Sequence, residues 1–274
     1  MPTTPAGQAL ADAYSTAQAR NAAIIAVLLM RLWKALINPT AIGVSTLRWL
    51  DLVTPQIVAY NAKAADIAQA FYVAYRKIEA EPGVPDFAPI PAPRLELDRI
   101  RTSLSVTGQV GLEKKIREIQ DLAELTGAPP HSIDNEIAQA VDEQAAEVAG
   151  AGSRLVLEGG NDTIMSSQKS DKVAFGYARL AHADCCFFCA MLASRGPVYK
   201  DDSFDTSNAF FNGDGPAKVH DHDRCVIVPV FSREDEPFKE SQHFAELYRE
   251  AMKASEPDVP AILAFRRFYE GRVD

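Results

Sequence analysis

The sequence has neither an excess of positive charge nor a long hydrophobic run, and each absence excludes a class of protein. Its formal net charge is −9, whereas proteins built to grip nucleic acid present a basic face to the phosphates. The most apolar run, residues 23–30 ("AIIAVLLM"), is closed by Arg31 and is too short to cross a bilayer. We therefore expect neither a nucleic-acid-gripping protein nor a membrane anchor.

The remaining composition is that of a globular protein with a sizeable core. The chain is 47% hydrophobic and 24% charged, which is ordinary for such proteins. Its first residues, "MPTTPAGQALADAYS", lack the basic and then apolar pattern of a secretory signal. We therefore expect the protein to fold in a cytosol. In that compartment, four clustered cysteines indicate a metal or redox site rather than structural disulfides.

Proline, glycine and hydrophobic spacing divide the chain into five predicted parts. Residues 82–93 ("PGVPDFAPIPAP") hold five prolines and are predicted to be a linker or an extended strap. The fold class predicted is mainly α, with long N-terminal helices and a small α+β module. The parts are a helical region 1–81, the linker 82–93, a helical region 94–158, the α+β module 159–235 and C-terminal helices 236–274.

Within the N-terminal region we expect two helices. The first spans residues 4–37 and has an apolar girdle at residues 24–29, which predicts burial on several sides in a bundle core, or else a docking surface. The second begins near Ser45, and Pro55 either kinks or restarts it. Three aromatic side chains on the second helix are predicted to be core and rim: Phe71, Tyr72 and Tyr75.

The rest of the chain gives shorter elements. Residues 101–108 ("RTSLSVTG") look extended, and helices are expected at 109–125 and 132–157, with Gly127 as a stop and Ser132 as a cap. The residue pattern changes after Gly159-Gly160, from helical spacing to short strand-like and loop-like segments. A strand is expected within 172–184, a short helix at the cysteines, a strand at "PVYK", a polar loop at 201–216, an edge strand with Pro229 at 225–231, and helices at 241–254 and 259–271.

Three cysteines and two histidines form the candidate site. Cys186 and Cys189 make a C-x₂-C pair, and Cys225 follows His220 and His222 in "HDHDRC". Thiolate and imidazole ligands in this number are typical of a structural Zn²⁺ site. Two alternatives stay open: the cysteines are small buried apolar residues, or Cys186 and Cys189 are a thiol–disulfide exchange pair.

The segments "CFFCAMLASRGPVY" and "HDHDRCVIVPVF" resemble the C-terminal signature of MuF-like minor head proteins of tailed phages, especially phages that infect actinobacteria. Residues 46–76 are similar to the helical opening of the same group. By this resemblance Cys186, Cys189, His220 and Cys225 take family positions. Asp223 stands where the family has a cysteine, so His222 or Asp223 substitutes for it or that position is not an essential ligand.

The resemblance implies a role in head assembly more than a reaction. Such proteins enter the prohead in few copies, sit near the portal and help to assemble the head or handle the genome. The implied partners are the portal protein and the scaffold or major capsid protein, with incidental contact to packaged DNA. The implied location is the virion interior, after synthesis in the host cytoplasm, and the acidic balance agrees with a place among packaged DNA.

The alternative function is a capsid maturation protease that processes scaffold or head proteins. A serine protease would need a nucleophile and a base among residues such as Ser103, Ser105, His131 and His182. None of these serines lies in a G-x-S-x-G context, and the chain has no H-E-x-x-H motif. The sequence therefore favours a structural protein over an enzyme.

Overall fold

The computed structural model describes residues 4–199, 225–232, 238–256 and 258–271, and these are mainly helical. A small sheet accompanies the helices, which confirms the predicted mixture of α structure with a minor β part. The helices are α1 (Pro5–Leu36), α2 (Ile42–Glu79), α3 (Leu97–Ser105), a π-helical turn (Val106–Val110), α4 (Gly111–Thr126), α5 (Pro130–Ser170), α6 (Phe187–Ala193), α7 (Lys239–Ala254) and α8 (Ala261–Glu270). Within the described ranges, no helix has both the length and the apolar character needed to cross a membrane.

The described sheet has three antiparallel strands. They are β1 (Gly176–Leu180), β2 (Val198–Tyr199) and β3 (Val226–Val230), in the order β2-β1-β3. Pro229 lies opposite Tyr177 on β3, at the edge of the described sheet. This placement confirms the predicted edge strand, since proline cannot donate to a second neighbouring strand. The polar loop predicted at 201–216 lies outside the described residues.

The chain divides into two compact units, each made of separate stretches. Unit 1 contains residues 1–19, 65–92 and 160–274, and unit 2 contains residues 20–64 and 93–159. Three of the four boundaries fall inside α1, α2 and α5, and the fourth lies between residues 92 and 93, in the proline-rich segment. The five consecutive parts expected from the sequence stay a prediction about domains.

The core of unit 2 is built around two tryptophans. Trp33 and Trp49 are fully buried, with ring centroids 5.0 Å apart in an edge-to-face arrangement, and Trp33 Nε1 donates to the Val141 carbonyl at 3.2 Å. Only part of the apolar girdle joins this core. Ile25 and Leu29 are buried, but two girdle residues on the opposite face, Ile24 and Val27, are largely exposed. Burial on several sides, as expected from the sequence, is therefore wrong for this helix.

Residues 101–108 are helical, so the extended segment predicted there is wrong. They belong to α3 and the π-helical turn that leads into α4. Ile100 and Leu104, one helical turn apart, are both fully buried in the core of unit 2. This burial outweighs the modest strand preference of the sequence. Gly127 ends α4 in the left-handed conformation (φ 66°), as predicted.

Two other helices differ from their predicted bounds. Helix α2 begins at Ile42 and runs across Pro55 as one element, so a restart there is excluded. Helix α5 begins at Pro130. Proline suits a first turn because the N–H that it lacks would have no intrahelical partner there. Ser132 therefore lies within the helix and its hydroxyl donates to the Pro129 carbonyl at 2.7 Å, which makes the predicted cap wrong. Helix α5 continues to Ser170, beyond its expected end at 157.

Within unit 1, the proline-rich residues 82–92 are free of helix and strand, as predicted, and lie along α5. The amides of Ile90 and Ala92 donate to the side chains of Ser167 and Thr163, each at 2.9 Å. The segment is thus an extended strap whose backbone amides donate to hydroxyl side chains of α5. The aromatic side chains Phe71, Tyr72 and Tyr75 are buried in the core of the same unit, which confirms their predicted place.

Candidate functional site

The C-x₂-C pair lies at the start of α6. Cys186 directly precedes the helix, Cys189 lies in its first turn, and their Sγ atoms are 3.5 Å apart. Two thiolates on one tetrahedral Zn²⁺ would be separated by about 3.8 Å, because each Zn–S bond is about 2.3 Å. The separation is also too long for a disulfide bond of about 2.05 Å. The pair therefore fits two of the four positions of a zinc site.

Cys225 lies one residue before β3 and is almost fully buried. The Arg179 Nη1 atom of β1 donates to Cys225 Sγ at 3.3 Å, which places a positive charge beside the sulfur. Cys225 and Cys189 belong to the same hydrophobic cluster, which α7 and α8 complete with Phe244, Leu247, Ala251, Phe265 and Tyr269. Cys189 and Cys225, 36 residues apart in the sequence, thus belong to one hydrophobic core.

The histidines of the predicted site are not part of this geometry. His220 and His222, and with them Asp223, lie outside the described residues. Within the described part of the chain, no three Cys, His, Asp or Glu side chains form a group able to hold a metal ion. Zinc binding by Cys186, Cys189, Cys225 and a histidine therefore stays a prediction.

Cys185 has contacts of its own with Tyr269. The Tyr269 hydroxyl donates to the Cys185 carbonyl at 2.8 Å and lies 3.9 Å from its Sγ atom. Burial, followed by the nearby Cys185, raises the pKa of Tyr269 well above its ordinary value. The phenol stays protonated at neutral pH and can keep donating, so this contact fixes the start of the cysteine segment to α8.

Among the described residues proposed for a protease, no candidate serine forms a hydrogen bond with a candidate histidine. The Ser103 hydroxyl accepts a hydrogen bond from Arg154 Nη2 at 2.9 Å. His182 Nε2 lies 3.1 Å from the hydroxyl of Ser15, a residue that the sequence did not single out. Because the two are 167 positions apart, no local pattern indicates this pair. Ser15 is buried inside α1, so a substrate carbonyl has no access to it.

Comparisons with known proteins identify a family for this chain. They found no match among curated proteins and none among solved structures. A family model described as "VG15 protein" matches residues 6–254, which is most of the chain and includes all four cysteines. The chain therefore belongs to the VG15 protein family, a viral protein family, and this membership indicates a phage protein.

Proposed function

We propose that this viral protein is a MuF-like minor capsid protein of a tailed phage that infects actinobacteria. It is packaged inside the prohead near the portal and has a structural role in head assembly or genome handling. Family membership over residues 6–254 supports the phage origin. The resemblance of the cysteine segments to minor head proteins supports the finer assignment, in which the portal protein and the scaffold or major capsid protein are its partners.

The observation that carries a structural role is the burial of the cysteine site. Cys189 and Cys225 are each only 1% exposed, and aromatic and aliphatic side chains of α6, α7 and α8 surround them. Catalytic zinc keeps an open position for water or substrate, whereas a thiolate-rich site inside a core is typical of a structural metal. The net charge of −9 also suits a protein that is enclosed with DNA without adhering to it.

We propose that Cys186, Cys189 and Cys225, together with His220 or His222, hold a structural Zn²⁺. When bound, the ion would supply a cross-link between the start of α6 and the start of β3. Arg179 would hold the Cys225 sulfur in place from the side of β1. Because the ligands come from separate parts of the chain, the free energy of metal binding would become free energy of folding of unit 1.

Elemental analysis and thermal unfolding test the zinc proposal. We expect about one zinc per chain, and its loss in a Cys186→Ser/Cys189→Ser variant. Each kcal/mol of lost stability lowers the midpoint of thermal unfolding by about 2–4 °C in a chain of this size, so we expect the variant to unfold at a midpoint several degrees lower. The matched control is Cys185→Ser, which should keep the zinc. A wild-type protein that contains no zinc after growth in zinc-supplemented medium, and whose midpoint a chelator does not change, contradicts the proposal.

Prohead assembly tests the capsid role. The head genes of the phage are expressed together, proheads are purified, and their proteins are quantified by mass spectrometry. We expect the chain in proheads at a few copies, and its loss when the portal gene is omitted. Incorporation that is independent of the portal contradicts a place near it. Cleavage of scaffold or capsid protein by the purified chain, abolished by one Ser→Ala or His→Ala substitution, would instead support a maturation protease.

A further inference from the structure

One face of α1 in unit 2 combines exposed apolar and basic side chains. Arg20, Ile24, Val27 and Arg31 follow one another at helical spacing and are all exposed, so they form one stripe. Ile24 and Val27 are 49% and 41% exposed. We name these four residues the basic stripe. The two apolar side chains leave a small apolar patch between two arginines, and arginine is enriched in protein interfaces.

One face of α4 in the same unit has the opposite charge. Glu118, Asp121, Leu122 and Leu125 are exposed and lie on one side of the helix. Leu125 is 86% exposed and Leu122 is 55% exposed. We name these four residues the acidic stripe. It repeats the arrangement of the basic stripe, an apolar pair at positions i+4 and i+7 after a charged residue, with the sign of the charge reversed.

The chain within and after each stripe has the same sign of charge as the stripe. Residues 20–50 contain four basic and no acidic side chains, whereas residues 118–136 contain five acidic side chains and neither lysine nor arginine. Lys114 lies one turn before Glu118 on the same face and pairs with it at 3.8 Å, so the net negative charge of the stripe rests on Asp121. Within the part of the chain that the structure describes, Arg20, Arg31 and Asp121 form no ion pair.

We infer that the acidic stripe of one copy docks on the basic stripe of a second copy of this chain. A basic face and an acidic face carry apolar pairs of matching helical spacing, so the two faces can pack helix against helix with opposite charges in contact. Two acidic stripes or two basic stripes would repel each other, which excludes the same patch meeting itself. Such a head-to-tail contact leaves one stripe open on each end copy, so association continues into a ring or an open chain.

Charge reversal on the two stripes tests this contact in the full-length chain. One variant, Glu118→Lys/Asp121→Lys, makes both stripes positive, and a second, Arg20→Glu/Arg31→Glu, makes both negative. Sedimentation equilibrium from about 5 to about 500 µM measures the weight-average mass at about 50 mM and about 500 mM NaCl, which screen charges to different extents. Circular dichroism verifies that each variant is folded.

We expect the mass of the wild-type chain to rise at least twofold with concentration at low salt, and less at high salt. Each charge-reversed variant should stay at the monomer mass, and an equimolar mixture of the two should recover the rise, since positive stripes then meet negative ones. Matched controls with the same change of charge, Asp66→Lys/Glu81→Lys and Arg48→Glu/Lys63→Glu, alter exposed residues outside the stripes and should associate like the wild type.

Two apolar substitutions separate packing from charge. Leu125→Ser should abolish the rise in mass, whereas Val44→Ser, at a 76% exposed position on α2, should leave it unchanged. A wild-type chain that is monomeric at all concentrations overturns the inference. So does a folded charge-reversed variant that associates alone as the wild type does, and so does a mixture of the two that stays monomeric.

Discussion

At the scale of single residues, Asp171 shows how one buried carboxylate holds several segments of unit 1. Its Oδ2 atom accepts hydrogen bonds from Arg76 Nε at 2.7 Å and from the Tyr72 hydroxyl at 3.1 Å, and its Oδ1 atom accepts from the Val173 amide at 3.2 Å. Arg76 Nη1 also donates to the Pro85 carbonyl at 2.7 Å and so fixes the strap. The ion pair therefore connects α2, the strap and the end of α5.

Asp171→Asn removes the negative charge and leaves the Arg76 guanidinium buried without its counter-ion. Both side chains are at least nine-tenths buried. An uncompensated buried charge is costly, so we expect the free energy of unfolding to fall by about 3–5 kcal/mol. Urea unfolding followed by circular dichroism measures it. Glu270→Gln breaks the half-exposed pair with Arg266 and should change stability by less than about 0.5 kcal/mol. Equal effects of the two substitutions would contradict this account.

At the scale of elements, α2 and α5 approach closely within unit 2 because position 159 has no side chain. A Cβ atom added to Gly159 would meet the backbone carbonyl oxygen of Asn61 at a distance that real Cβ atoms do not reach. The Asn61 side chain uses this proximity, since its Nδ2 atom donates to the Leu155 carbonyl at 2.8 Å. Glycine in a helix interior costs about 0.5–1 kcal/mol, and here the close contact offsets that cost.

Gly159→Ala should destabilise the chain by about 1–3 kcal/mol, because backbone must move away from backbone and the Asn61 hydrogen bond is strained. Gly43→Ala is the matched control on α2. Its Cβ atom would have Gln109 Nε2 as its nearest neighbour at 3.7 Å, an ordinary contact. We expect the control to be neutral or to stabilise by up to about 1 kcal/mol. Urea unfolding compares the two, and a stabilising Gly159→Ala substitution would be inconsistent with the tight crossing.

The elements that the sequence predicted well are those with local signals. Helix α1, the turn at Gly127 and the short helix after Cys186 follow from helical spacing, a left-handed glycine and a compact motif. Helix α3 was missed because its helicity depends on burying Ile100 and Leu104 against distant segments. The continuation of α5 through Gly159 and Gly160 was missed for a related reason. These glycines permit a close approach of another helix, whereas in the sequence they resemble a break.

The candidate site also has one part that local sequence signals predict and another that depends on long-range contacts. The short helix at the C-x₂-C pair was predicted from the sequence and is present, with the two sulfurs 3.5 Å apart at its start, whereas zinc binding by the pair stays a prediction. The contact between Arg179 and Cys225 could not be predicted, since it depends on the register of β1 against β3, in which Arg179 lies opposite Ile227. The pair formed by Ser15 and His182 is equally invisible in the sequence.

At the scale of the whole molecule, the two units contain different spectroscopic reporters. Both tryptophans, Trp33 and Trp49, lie in unit 2. Four described tyrosines whose pKa is clearly raised, mainly by burial, lie in unit 1: Tyr14, Tyr72, Tyr177 and Tyr269. Phenolate absorbance therefore reports mainly on unit 1 at alkaline pH, and tryptophan emission reports on unit 2.

The distribution of tyrosines predicts that unit 1 unfolds first as the pH rises. A phenol whose folded pKa lies above its unfolded value of about 10 contributes stability below pH 10, and this stability is lost above it because only the unfolded chain releases the proton. We expect a cooperative rise in phenolate absorbance above about pH 10, with the change in tryptophan emission at higher pH. Tyr14→Phe removes one such phenol and keeps a ring to stack on Phe71, so it should move the absorbance step to higher pH. If the absorbance and emission transitions coincide and Tyr14→Phe does not shift them, alkaline unfolding is independent of the buried phenols.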